Sequence, residues 1–159
     1  MEIERKFLLD GYPDNLPLIK EVDCMQGYLS VQPEVRIRSF RSGEYEDYKL
    51  TIKSNGDLSR EEVEYMISKD EFDIFVGMIN QPLIHKEHRK YRLPDGKIFE
   101  VGLVDPGADT SFYYAEVEFE TVQDALSFKP LDCITEEVTY DSSYKMKNYW
   151  TRTRLNKEM

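Results

Sequence analysis

Apolar and charged residues alternate along much of this chain. In Glu2-Ile3-Glu4-Arg5-Lys6-Phe7 the side-chain period of a strand puts Glu2, Glu4 and Lys6 on one face and Ile3 and Phe7 on the other. Val35-Arg36-Ile37-Arg38, Tyr48-Lys49-Leu50-Thr51-Ile52-Lys53 and Arg60-Glu61-Glu62-Val63-Glu64-Tyr65 follow the same rule, as does Ala115-Glu116-Val117-Glu118-Phe119-Glu120. Asn55-Gly56 supplies a turn between two of these runs, and Asp95-Gly96 precedes a further strand at Ile98-Phe99-Glu100-Val101. Between them the period changes. Ser68 with Glu71 forms a capping box, Phe72, Phe75, Val76 and Ile79 make a helical stripe, and Asn80 to Pro82 ends it. A second helix is expected after Asp141, with Tyr144, Asn148, Tyr149 and Trp150 on neighbouring turns, and a shorter one after Thr121. The expected class is α+β, dominated by antiparallel strands.

In at least five segments the charges share one face, with paired acids and paired bases rather than the Ser, Thr and Gln of an ordinary wet sheet face. Burying such a face without a ligand or partner is costly. A closed barrel whose charged face points inward, around a hydrated ligand, accounts for the whole set.

The 159 residues suit a single domain, 1–159, and 40% hydrophobic content suits a folded chain. The net charge of −10 argues against a general nucleic-acid binder. Yet Arg36/Arg38, Lys49/Lys53 and Lys86/Lys90/Arg92 recur at even spacing, so positive potential is expected to concentrate inside, around a small polyanion. No apolar run approaches membrane-spanning length, and with a motif starting at residue 2 no signal peptide is expected. Cys24 and Cys133 lack metal spacing and are read as reduced, buried residues of a cytoplasmic protein.

Glu2-Ile3-Glu4-Arg5-Lys6-Phe7 resembles the E-x-E-x-K signature of the CYTH superfamily, the triphosphate tunnel metalloenzymes. The resemblance continues in order through Gln26-Gly27-Tyr28-Leu29, the paired arginines of Val35-Arg36-Ile37-Arg38, and Leu50-Thr51-Ile52-Lys53. It extends through Arg60, Glu62 and Glu64, through Ala115-Glu116-Val117-Glu118-Phe119, and to Glu137-Val138-Thr139 with Asp141, Tyr144 and Asn148. It implies an eight-stranded antiparallel barrel forming a tunnel with flanking helices. Within it, acids hold a divalent cation, Mg²⁺ or Mn²⁺, and Lys and Arg grip a triphosphate. The short length is similar to that of bacterial members that hydrolyse inorganic triphosphate; other branches hydrolyse thiamine triphosphate or cyclise ATP.

On that resemblance Glu2, Glu4, Glu116 and Glu118 are the expected metal ligands and, with Lys6, the catalytic set. Oxygen donors suit hard divalent cations. Lys6, Arg36, Arg38, Lys53 and Lys86 are the expected phosphate contacts, with Lys90 and Arg92 on the same face; Arg forks grip two oxygens where Lys acts as a point charge. Glu62 and Glu64 are expected to orient these bases through ion pairs, and Tyr28 to line the entrance. Lys49 is read as a solvated residue, Glu120 as a ligand or a rim residue, and His85 carries no signal. Two positions depart from the family pattern. His88 stands where an Arg is expected, as a phosphate contact or a polar residue at the mouth. Gly102 stands where an Asp is expected, with Asp105 three residues on. Three readings follow: a metal-dependent triphosphatase, a cyclase making cyclic AMP from ATP, and a binding module for polyphosphate or nucleotide.

Overall fold

The computed structural model describes residues 1–156. Ten strands are found among them: β1 (Glu2–Leu9), β2 (Leu18–Val31), β3 (Glu34–Ser42), β4 (Tyr45–Lys53), β5 (Ser59–Arg60), β6 (Glu62–Met66), β7 (Ile84–Arg92), β8 (Ile98–Val104), β9 (Phe112–Glu118) and β10 (Ile134–Glu137). Nine of them lie side by side in the order β10-β1-β9-β8-β7-β2-β3-β4-β6, and β5 pairs with β1. Every pairing is antiparallel.

Residues 59–66 close the ring. β6 pairs with β4 at Lys53↔Glu62, while β5, one residue upstream, pairs with β1 at Glu2↔Arg60. Counting β5 and β6 as one interrupted strand leaves eight around the lumen, with β10 added outside along Phe7–Leu9 of β1. The eight-stranded expectation holds in that sense.

Because the lumen is charged, the apolar core lies between the barrel wall and the helices. The α1 helix (Lys69–Ile79) begins with the expected capping box, Ser68 with Glu71, and ends on Asn80 in the left-handed region (φ 51°). It lays Phe72 against Ile37 and Tyr48. The α2 helix (Val122–Ser127), capped by Thr121, covers Phe7, Val117 and Phe119 through Ala125. The expected third helix is broken into pieces: a 3₁₀ turn at Ser142–Tyr144, α3 (Met146–Trp150), and a π-helical turn at Thr151–Leu155. Tyr149 and Trp150 of α3 pack with Tyr28 and Tyr114. Gly27 permits the close approach of Leu83 and of Ile79 at the end of α1, since a Cβ there would lie 2.6 Å from Leu83 Cδ2 and 3.0 Å from Ile79 Cδ1.

Both cysteines are free; Cys24 is buried as expected, whereas Cys133 is only half-buried. Among the described residues no helix is long and apolar enough to cross a membrane.

Candidate active site

Period-two alternation, held in register by the strand ladders, delivers the charged faces to one enclosure of about 360 Å³. Glu2, Glu4, Lys6, Tyr28, Arg36, Arg38, Lys53, Glu62, Glu64, Lys86, His88, Lys90, Glu116 and Glu118 all line it. Arg5, at odd parity, points outward: it pairs with Glu137 at 2.6 Å and donates to the carbonyls of Ala125 and Phe128.

Arg92 does not join them. It is the last residue of β7, exposed, and donates to the Gly96 carbonyl at 3.1 Å across the Pro94-Asp95-Gly96 turn. Its parity matches that of Lys90, but the strand has by then run past the lumen. Asp105 does not stand in for Gly102 either. It follows the end of β8 with φ 44°, so the chain has already turned, and its carboxylate binds Arg154 at 2.7 Å and Tyr149 at 2.6 Å.

Acids cluster at one side. Glu4 faces Glu118 across the β1–β9 ladder, and Glu2, Glu4 and Glu118 bring one carboxylate oxygen each within 4.8 Å of one another. Burial, then the neighbouring charges of Glu116 and Glu2, push the Glu4 carboxyl well above the usual range. Burial followed by Glu2 and Glu116 raises Glu118 as well. Glu2 is shifted the other way: burial would raise it, but Lys53 and Glu62 hold it below the usual range. Three crowded oxygen donors of this kind form a donor set that suits a hard divalent cation. Glu116 stands outside that cluster. It faces Lys6, and although burial works the other way, Lys6, Lys86 and Lys53 hold it at about 2.

The bases occupy the other walls. Lys53 reaches Glu2 at 3.0 Å and Glu62 at 3.7 Å, and Arg38 reaches Glu64 at 3.0 Å, so Glu62 and Glu64 pair with the bases as expected. Among the described residues Arg36 Nε and Arg38 Nε are buried without a hydrogen-bond partner, as is Oε1 of the fully buried Gln26. Unpaired buried guanidinium N–H groups are costly unless an anion or water completes them. Burial lowers the pKa of Lys6, and pushes that of Lys86 down to about 8.

His88 is sealed in the wall. Burial, and then the adjacent Lys86 charge, hold its pKa well below the ordinary histidine value, so it is neutral. Its Nε2 lies 3.1 Å from Tyr114 Oη, which also receives a hydrogen bond from Lys86 at 3.0 Å. Gly102 lies directly across the β7–β8 ladder from His88, and a Cβ on it would fall 2.8 Å from Tyr114 and 2.9 Å from His88. The two departures from the family pattern are therefore one feature, a Tyr–His pair filling the space above a glycine.

Sequence reasoning missed several lining residues. Lys49, read as solvated, lines the lumen and lies 3.4 Å from Glu64. Arg60 bridges Glu2 at 3.4 Å and Glu34 at 3.2 Å. Their signal was present, since Lys49 shares parity with Lys53, and Arg60 with Glu62 and Glu64. Tyr114, Glu100 and Lys145 also line the lumen; Tyr114 shares parity with Glu116 but is not charged, so charge parity passes over it.

An enclosed barrel lined by a carboxylate cluster and many bases defines a class of protein, a charged tunnel suited to a small polyanion and a divalent cation. Comparisons agree. The chain is 35% identical, over 147 residues, to an inorganic triphosphatase of Nitrosomonas europaea, covering 92% of this chain and 94% of that one. A crystal structure of an inorganic triphosphatase superposes with a TM-score of 0.64 at 32% identity, over 94% of this chain and 93% of that one. A Hippeastrum protein with a dominant triphosphatase activity shares the fold, with a TM-score of 0.52 at 17% identity over 79% of this chain and 83% of that one. No protein-family model matches the chain. The chain belongs to the CYTH superfamily of triphosphate tunnel metalloenzymes.

Proposed function

We propose that this protein is a divalent-metal-dependent triphosphatase that hydrolyses the terminal phosphoanhydride of inorganic triphosphate. The observation that carries the reading is the meeting, in one lumen, of the Glu2/Glu4/Glu118 cluster with Arg36, Arg38, Lys53 and Lys86. The extended resemblance to the Nitrosomonas europaea enzyme supports inorganic triphosphate as substrate.

Glu2, Glu4 and Glu118 are the residues to hold Mg²⁺ or Mn²⁺, with Glu116 beside them. The bound ion would supply neutralisation of charge on the phosphoryl oxygens. The rest of the work falls to the chain. Arg36 and Arg38 offer unpaired N–H groups to phosphate oxygens, and Lys6, Lys53 and Lys86 add point charges from other walls. Lys90, paired with Glu100 at 3.5 Å, extends the basic wall. Glu62 and Glu64 hold Lys53 and Arg38 in place, and Tyr28 forms part of the wall beside Arg36. Water attacks the terminal phosphorus in line with the departing pyrophosphate: one P–O bond forms, the bridging P–O bond breaks, and phosphate and pyrophosphate leave. Positioning and fixed charge carry such a reaction, and no covalent enzyme intermediate is needed.

The test is Glu4→Ala, assayed for phosphate release from saturating inorganic triphosphate with Mg²⁺ or Mn²⁺. Turnover is expected to fall by about 100-fold or more. Wild-type turnover in the variant would refute the site. Cyclic AMP with pyrophosphate from ATP, in place of phosphate, would make the protein a cyclase instead.

A further inference from the structure

We propose that Tyr114 is a positioning residue: with His88 it aims the Lys86 ammonium into the lumen, and Gly102 leaves room for the pair. The inference deepens the triphosphatase reading and rests on it for the identity of the anion.

Lys86 is 3% exposed, and its one hydrogen bond among the described residues goes to the Tyr114 hydroxyl. An ammonium carries three donors, so two remain for a ligand once Tyr114 takes one. Tyr114 is itself 1% exposed, and its hydroxyl must donate somewhere. The acceptor is His88 Nε2, 3.1 Å away. That assignment leaves the His88 proton on Nδ1, which faces Glu100 Oε1 at 3.7 Å. The chain of hydrogen bonds then has one direction, with Lys86 donating to Tyr114 and Tyr114 donating to His88. A hydroxyl committed in this way presents its lone pairs to Lys86 and cannot turn to compete for the anion.

The ring does a second job. The Lys6 ammonium lies 4.6 Å and the Lys86 ammonium 5.5 Å from the Tyr114 ring centroid, so one aromatic group braces two cations of the lumen. A side chain at position 102 would meet the Tyr114 ring and the His88 ring at once, at 2.8 and 2.9 Å. Both belong to buried wall residues with little freedom to retreat.

A double-mutant cycle separates positioning from plain support of the wall. Tyr114→Phe, Lys86→Met and the double variant are compared with the wild type for binding of inorganic triphosphate by calorimetry in EDTA, and for hydrolysis with Mg²⁺ or Mn²⁺. Tyr114→Phe keeps the ring and removes the hydroxyl. It is expected to weaken triphosphate binding by about 5- to 10-fold when Lys86 is present, the scale of one ordinary hydrogen bond, and by less than about twofold in the Lys86→Met background. Gly102→Ala gives an independent arm, with a loss that likewise vanishes when Lys86 is gone. Equal losses in both backgrounds would overturn the proposal, as would no loss from Tyr114→Phe. Wild-type protein that binds triphosphate without hydrolysing it would overturn the functional reading alone, since the binding cycle still decides the role of Tyr114. Protein that does not bind triphosphate overturns both.

Discussion

At the residue scale, parity is a good guide to which face a side chain occupies and a poor guide to where a strand stops serving the lumen. Arg38 and Arg92 both continue even-spaced basic rows, yet the Arg38 side chain is only 14% exposed, between Thr51 and Glu64, while Arg92 is exposed at a turn. Arg38→Ala is expected to lower kcat/KM for inorganic triphosphate by about 100-fold, the scale of a lost charge-stabilising donor in a closed site. Arg92→Ala is expected to stay within about twofold, as exposed substitutions do. A steady-state comparison of the two variants checks both halves, and equal losses would return Arg92 to the site. Most of the candidate site was legible because each strand carries charge on one side only. Tyr114 was not, because an uncharged ring gives no charge signal and its role depends on a gap, Gly102, that lies on another strand.

At the element scale, what was legible is what local chemistry sets. The α1 helix could be read because Ser68, Glu71 and the apolar stripe all agree. β2 could be read only at Gln26–Leu29, although it runs for 14 residues, because its first residues are exposed and carry no clean alternation. The C-terminal turns were read as one helix; tertiary anchors divide them. Asp105 is the central anchor. It accepts from Tyr149 Oη, from the His85 backbone N–H at 3.0 Å, and from two nitrogens of Arg154, which also binds the carbonyls of Pro82 and Leu83. Burial opposes ionisation of Asp105, but Arg154, Tyr149 and the His85 N–H together hold its carboxyl below the usual range. A depressed folded-state pKa adds stability that is complete above the unfolded value of about 4 and is lost as pH falls through the folded value. Asp105→Asn is therefore expected to cost about 3 kcal/mol at neutral pH, the scale for breaking a largely buried pair. It should also flatten the decline in stability on acidification. Thermal melts of both proteins, from neutral pH to below the carboxyl range, would show it, and parallel curves would remove Asp105 from the acid response.

At the scale of the whole molecule, the expectation of a positive interior needs amending. Nine basic and ten acidic side chains line the lumen, which is within one charge of neutral while the chain carries −10. The charges are paired rather than biased: carboxylates crowd at Glu2, Glu4 and Glu118, Lys53 and Arg60 reach Glu2, and Glu64 and Glu100 pair with Arg38 and Lys90 elsewhere around the lumen. Closure of the ring sets Arg60 of β5 against Glu2, so one base stands within the acidic side; Arg60 was read as part of the Arg60–Tyr65 run, but its separate pairing with β1 carries no signal in the sequence. Crowded acids store repulsion that a divalent cation relieves, and a ligand bound only by the folded state stabilises it by mass action, about 2.7 kcal/mol at 100 times its dissociation constant. Mg²⁺ or Mn²⁺ is thus expected to raise the Tm in a saturable way that a monovalent salt of equal ionic strength does not reproduce. Glu4→Gln sharpens the test. Glu4 binds its proton more tightly folded than unfolded, so ionising it near neutral pH opposes folding, and a neutral Gln removes that penalty. Without metal, the variant should melt at a higher temperature than the wild type; with metal, it should gain little. A metal-free Glu4→Gln protein that melts lower, or that gains as much from Mn²⁺ as the wild type, would show that the carboxylate cluster is not the lumen's cation site.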